Sequence, residues 1–100
     1  MDPGIPDNVI ISDVVVSTAG RDRGQWFYVI QEEPMYLYLA NGTDRTLDKP
    51  QRKKRKHRQK VLRSETRVAQ KLRSGDKVLN GELRRDLAFL AKDASENLGG

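Results

Sequence analysis

The segment from Val14 to Ile30, VVVSTAGRDRGQWFYVI, constrains the fold more than any other part of the chain. A β-branched run enters a short turn holding two glycines and two arginines, and the chain leaves it as an aromatic-rich stretch. Val, Ile, Phe, Tyr and Trp suit a pleated, half-buried surface, so both flanks read as strands. Gly20 and Gly24 bracket Arg21-Asp22-Arg23, and a hairpin loop of this length needs at least one position with φ > 0. Asp22 suits the turn because its carboxylate can accept from backbone amides two residues on. Such a loop presents amides and guanidinium groups together, a pairing suited to phosphate. A surface hairpin with merely solvated arginines fits the same residues.

Val9 to Ser17, Gln25 to Ile30 and Met35 to Ala40 read as strands, with turns at Glu32-Glu33-Pro34 and Asn41-Gly42. Arg45 to Asp48 can add a fourth short strand, closed at an edge by Pro50, which has no N–H for a ladder. Short strands at this spacing suggest a small barrel. Alternation puts Trp26 and Tyr28 on one face and Phe27 on the other. With Tyr36 and Tyr38 they form an aromatic group that reads first as core. An exposed member would instead offer a base a stacking surface worth about 1–3 kcal/mol.

Residues 1–8, with two prolines and a glycine, read as a loose lead-in. After Arg63 the period changes. Ser64 can cap a helix with Glu65 in its first turn, Val68 and Leu72 four apart, and Gly75 at its exit. A second helix is expected from Asn80 as cap, with Leu83, Leu87, Leu90 and Ala91 on one stripe and Phe89 off it. The helical segment is thus expected over residues 64–96, with 97–100 as a tail.

Charge is distributed unevenly. Residues 1–48 carry eight acidic and three basic side chains, residues 49–63 nine basic and no acidic ones, and residues 64–100 seven basic and six acidic. Like charges at the density of the middle segment repel one another and resist packing unless an anion neutralises them. Residues 51–63 are accordingly expected to form a basic arm, extended or disordered until it meets a polyanion. Its candidate phosphate contacts are Arg52, Lys53, Lys54, Arg55, Lys56, His57, Arg58 and Lys60, with counterions released on binding. A nuclear localisation signal or a solubilising tail would use the same composition.

A chain without cysteine has no disulfide, thiolate zinc site or cysteine nucleophile, which suits a reducing cytoplasm. His57 is the sole histidine, so its expected role is stacking or hydrogen bonding rather than metal ligation. No run of about 18 apolar residues exists to span a membrane. MDPGIPDN lacks the basic and apolar regions of a signal peptide. Glu32 and Glu33 are adjacent carboxylates, but strand neighbours point to opposite faces and Pro34 sets them in a turn. The expectation is a protein without enzymatic activity, cofactor or small-molecule substrate.

The string SDVVVSTAGRDRGQWFYVI, followed by LYLANG and DKPQRKKRKH, resembles the short bacterial KOW-domain proteins. That family is similar to a KOW-type large-subunit ribosomal protein of archaea and eukaryotes. The likeness spans Ser12 to Gln59 and is most specific at AGRDRG and at DKP with the basic run ending in Lys56-His57. It implies a small SH3-like (KOW) barrel over residues 9–50; with the basic arm and the one or two short C-terminal α-helices read from the residues themselves, the expected fold is mainly β. It also implies a cytoplasmic, ribosomal or ribosome-associated protein that binds RNA, with ribosomal RNA as partner and ribosomal proteins as neighbours. On this likeness Arg21 and Arg23 correspond to basic positions of the KOW loop, their planar guanidinium groups suiting bidentate phosphate contact. Gly20 and Gly24 would let the backbone approach the sugar-phosphate chain, and Arg45 would join the same face. Family members have glycine at the position of Ser12, which implies a different turn there. KOW domains also serve as interaction modules of the transcription machinery, and in that alternative the arm would grip nascent RNA or DNA.

Overall fold

The structure, a computed structural model, describes residues 9–99, with backbone alone at 58–61 and 96–99. The β-branched run forms β1 (Asp13–Ser17) and the aromatic-rich stretch forms β2 (Trp26–Glu32), paired antiparallel with Val15 opposite Phe27. β3 (Tyr36–Ala40), β4 (Gln51–Lys54) and β5 (Arg58–Arg63) complete one antiparallel sheet in the order β4-β3-β2-β1-β5. The two edge strands, β4 and β5, are consecutive in the chain and joined by a 3-10 turn at Arg55–His57. They do not pair with each other among the described residues, so the sheet is not closed.

Each face of the sheet carries a core. Val15, Phe27, Val29, Leu37 and Leu39 pack with Val9 on one face. On the other, Val14, Tyr28 and Ala40 meet Val68 and Ala69 of α1 (Arg67–Ser74) and Leu83, Leu87 and Leu90 of α2 (Asn80–Gly99). Both faces of β1 are covered, which is why its centre is an unbroken apolar run rather than an alternation. Alternation along β2 assigns the aromatics as expected, Phe27 to one core and Trp26 and Tyr28 to the other. The leucine stripe of α2 is buried and Phe89 is exposed, also as expected.

A polar cluster locks the helices to the sheet. The Tyr28 hydroxyl donates to the Asp86 carboxylate, which also accepts from Thr66 Oγ1 at 2.8 Å. Ser64 Oγ lies 2.9 Å from the same Tyr28 oxygen. Burial, and next the Asp86 carboxylate, push the Tyr28 hydroxyl up to about 12.

Several elements differ from expectation. A turn at residues 9–12 leads into β1, where a longer strand was expected. Ser12 adopts a φ of +78°, the left-handed region open to glycine, so the turn keeps a glycine-type conformation with serine in it. Arg45 to Asp48 is a loop with one isolated bridge, Thr46 to Lys49, and the fourth strand starts beyond Pro50. Thr66 caps α1, accepting from Ala69 N–H at 3.3 Å, while Ser64 is buried in the polar cluster. α1 closes at Gly75 as expected. α2 starts at Asn80, but Asn80 Oδ1 accepts from Leu47 N–H at 2.8 Å, tying the helix to a loop. The helix runs to Gly99, so no tail begins at residue 97. The expected lead-in, residues 1–8, lies outside the described residues.

The largest correction concerns residues 51–63. In place of a free arm they form β4, the 3-10 turn and β5, and the boundary expected after residue 50 is absent. The acidic half of the chain supplies the reason. Lys53 meets Asp22 at 2.7 Å, Arg55 meets Glu32 at 3.9 Å, and Arg63 meets the buried Asp13 at 3.1 Å. Leu62, opposite Val14, adds apolar burial. Three of the nine cations of the basic run thus meet their counter-charges inside the molecule.

Candidate functional site

The loop between β1 and β2 is pinned at its middle. Asp22 turns inward, and its Oδ1 accepts from Lys53 Nζ at 2.7 Å and Ser17 Oγ at 2.8 Å. Lys53 lies opposite Leu37, whose side of the sheet is core, so Lys53 reaches inward while Arg52 and Lys54 point away. Its ammonium also donates to Ser17 Oγ at 2.7 Å and to the Ala19 carbonyl at 2.8 Å, which uses all three protons. Only 9% and 10% of the Lys53 and Asp22 side chains remain exposed. Burial would raise the Asp22 carboxyl, but the hydrogen bonds from Lys53 and Ser17, with the Lys53 charge, outweigh it and hold the group below its ordinary value. With Asp22 fixed inward, Arg21 and Arg23 on either side of it are exposed.

Gly20, Arg21, Asp22 and Gln25 line one side of a cleft of about 400 Å³, and Asp44, Arg45, Gln51 and Lys53 line the rest. The loop that carries Arg45 is shaped by Asn41, whose Oδ1 accepts from the N–H groups of Thr43 at 2.9 Å and Arg45 at 3.0 Å. α2 braces that loop from behind. At Gly42, where φ is +79°, a Cβ would collide with the Asn80 carbonyl, and the Gly42 carbonyl accepts from Arg84 Nη1 at 3.1 Å. Asp44, exposed on the same loop, adds one acid to the rim.

The cleft therefore brings together four of the RNA-contact candidates read from the sequence: Gly20, Arg21, Arg45 and Lys53. Arg23 and Gly24 sit on the same loop outside its lining. Arg52, Lys54 and Lys56 are exposed on β4 and the 3-10 turn. Among the described residues, Arg21, Arg23, Arg45, Arg52, Lys54 and Lys56 make no ion pair. Two expected phosphate contacts are committed elsewhere. Lys53 is the buried partner of Asp22, and Arg55 donates to the carbonyls of Glu33 at 2.9 Å and Val9 at 3.2 Å. His57 is half-buried, with its carbonyl accepting from Thr18 N–H at 3.0 Å. The side chains of Arg58 and Lys60 lie outside the described residues.

Gln25, Asp44 and Gln51 enter the site without a signal in the sequence. Asp22 had one: a single acid between two arginines, in a chain whose next long basic run lacks any acid of its own. Tyr36 also joins a cation, with the guanidinium carbon of Arg52 3.8 Å from its ring centre. Among the described residues, no group of three or more His, Cys, Asp or Glu side chains could hold a metal ion, and no helix is long and apolar enough to cross a membrane. No protein-family model matches the chain, and none of the curated proteins matches it.

Proposed function

We propose that this chain is a non-catalytic RNA-binding protein of KOW type, working in a cytoplasmic, ribosome-associated setting. The observation that carries this reading is the meeting of Arg21 and Arg45 across one cleft, neither with a carboxylate partner among the described residues and both on braced loops. An open guanidinium beside an accessible glycine backbone suits a phosphate oxygen, to which arginine can offer two parallel N–H donors. Arg23, Lys54 and Lys56 extend the cationic surface around the cleft's loop and the edge strand. The strand order supports treating the sheet as an SH3-like barrel, because its two edges follow one another in the chain through one 3-10 turn.

Phosphate contacts give affinity without sequence information. If about four to six phosphates are engaged, log K falls against log salt with a slope of order −3 to −5. Fluorescence anisotropy with a structured ribosomal RNA fragment at several salt concentrations measures it. R21A/R45A should weaken binding and flatten the slope by about one to two. A flat salt response in the unaltered protein, or an unchanged slope in R21A/R45A, refutes the cleft as the phosphate site. Co-sedimentation with ribosomal subunits, set against polymerase pull-down, separates the ribosomal setting from the transcriptional one.

A further inference from the structure

The helices cover only part of the sheet face on which they pack. Ala40 on β3 belongs to the core beneath them. Tyr38 and Tyr36 follow on the same side by strand alternation, whereas Leu37 and Leu39 belong to the opposite core. Among the described residues, neither tyrosine is packed against the helices, and both are half-exposed. In register with them on the edge strand stand Arg52, opposite Tyr38, and Lys54, opposite Tyr36. Both cations are exposed and make no ion pair among the described residues. Arg52 lies over the Tyr36 ring at stacking distance, 3.8 Å. The Tyr38 hydroxyl donates to Glu33 at 3.1 Å, which fixes the second ring in place.

We infer that this outer face of β3 and β4 binds an unpaired base of a single-stranded RNA segment. The inference rests on the RNA-binding reading and adds the kind of RNA that this face takes. The base stacks on the open side of the Arg52 guanidinium, lengthening the Tyr36–Arg52 pair by one layer, and Lys54 meets the adjoining phosphate. Bases stack on arginine planes as well as on aromatic rings, and only unstacked bases are available for it. A duplex presents phosphates to Lys54 and Arg52 but no free base face, so the geometry favours a single strand.

The test compares two probes by anisotropy, a labelled 12-nucleotide oligouridine and a 12-base-pair RNA duplex. R52K keeps the charge and removes the plane. It should weaken oligouridine binding about fivefold or more while leaving duplex binding within about twofold, since stacking one base changes affinity about 5- to 150-fold. Y36F should bind as the unaltered protein does, and Y36A should follow R52K. In a measurement that needs no variant, 4-thiouridine-containing oligouridine irradiated with the unaltered protein should crosslink within Gln51–Lys54 or at Tyr38, located by peptide mass spectrometry. Unchanged oligouridine affinity in R52K and Y36A overturns the stacking site while R21A/R45A still weakens both probes. Equal losses on both probes in R52K overturn it in favour of charge alone. Crosslinks confined to other residues also overturn it. If the unaltered protein binds neither probe nor the structured RNA, the RNA reading itself falls.

Discussion

Replacing Asp22 by asparagine should destabilise this protein far more than an ordinary loop substitution. The variant leaves the Lys53 ammonium in place, nine-tenths buried, with Ser17 Oγ and the Ala19 carbonyl as acceptors but no counter-charge. Breaking a buried pair from one side costs about 3–5 kcal/mol, because the remaining charge is stranded. Two neutral acceptors and a thin solvent window place this case near the lower end, at about 3 kcal/mol. With an m-value of about 1.5 kcal/mol/M, the urea midpoint should fall by about 2 M. Trp26, the only tryptophan, packs against the helix-facing core and reports unfolding by its fluorescence.

Two controls sharpen the argument. D22L/K53M removes both charges and should recover most of the loss, since a buried pair exchanged for apolar groups is close to neutral. The pH dependence has a defined sign. The folded-state carboxyl lies below its ordinary 3.8, so its contribution is fully present above that value and is lost as pH falls through the lower folded-state one. The gap between the unaltered protein and D22N should therefore be wide at pH 7, begin to narrow near pH 4 and shrink further as pH falls through the folded-state value. A D22N penalty under about 1 kcal/mol that does not vary with pH would falsify the buried-pair account.

Other positions give further tests. G42A should cost more than about 3 kcal/mol in urea melts, combining left-handed strain with separation of the loop from α2, whereas G24A, at a similar φ with nothing within 4 Å, should cost only about 1 kcal/mol. S12G should be about 1 kcal/mol more stable than S12A, because both lose the Ser12 acceptor of Arg73 Nη1 but only glycine relieves the +78° backbone; equal melting temperatures would deny the strain. Tyr28 is raised from 10.0 to about 12, so its contribution is intact below pH 10 and disappears as pH rises toward 12, about 2–3 kcal/mol that a Y28F melt over that range should not lose. On the proposed RNA-binding reading, D44N should tighten binding at low salt by removing an acid from the cleft rim, an effect that fades as salt is raised; weaker binding would show that RNA does not pass the rim.

Local patterns in the sequence carry the sheet's first half and the helices' apolar faces. Alternation on β2 separates Phe27 from Trp26 and Tyr28, and the leucine spacing on α2 marks its buried stripe, because each depends only on near neighbours along the chain. The caps were less legible. Ser64 and Asn80 have the chemistry of caps, but tertiary partners at Tyr28 and Leu47 compete for their oxygens. The candidate cleft was legible in its two loops, through Gly20 and Arg21 on one and Arg45 on the other, and illegible in Gln51 and Asp44, which acquire meaning only once β4 is folded onto β3.

The basic run shows where a composition argument stops. Nine cations in fifteen residues repel one another only when their counter-charges are elsewhere. In this chain Asp13, Asp22 and Glu32 precede the run, and sheet pairing brings each beside one of its cations. Period-two alternation then sorts the remainder, burying Lys53 and sending Arg52 and Lys54 outward. The consequence bears on the proposed RNA binding. A disordered arm would lose conformational entropy on meeting RNA, of order 1–2 kcal/mol for each residue it fixed. Strand-held cations have already been ordered by folding, so the opposing entropy is smaller and the charges keep a fixed spacing. Calorimetry on RNA binding should accordingly show a small heat-capacity change, without the large negative value of coupled folding. A large negative value, with protection from hydrogen exchange gained along residues 51–63 on binding, would return this segment to the class of arms that fold on their partner.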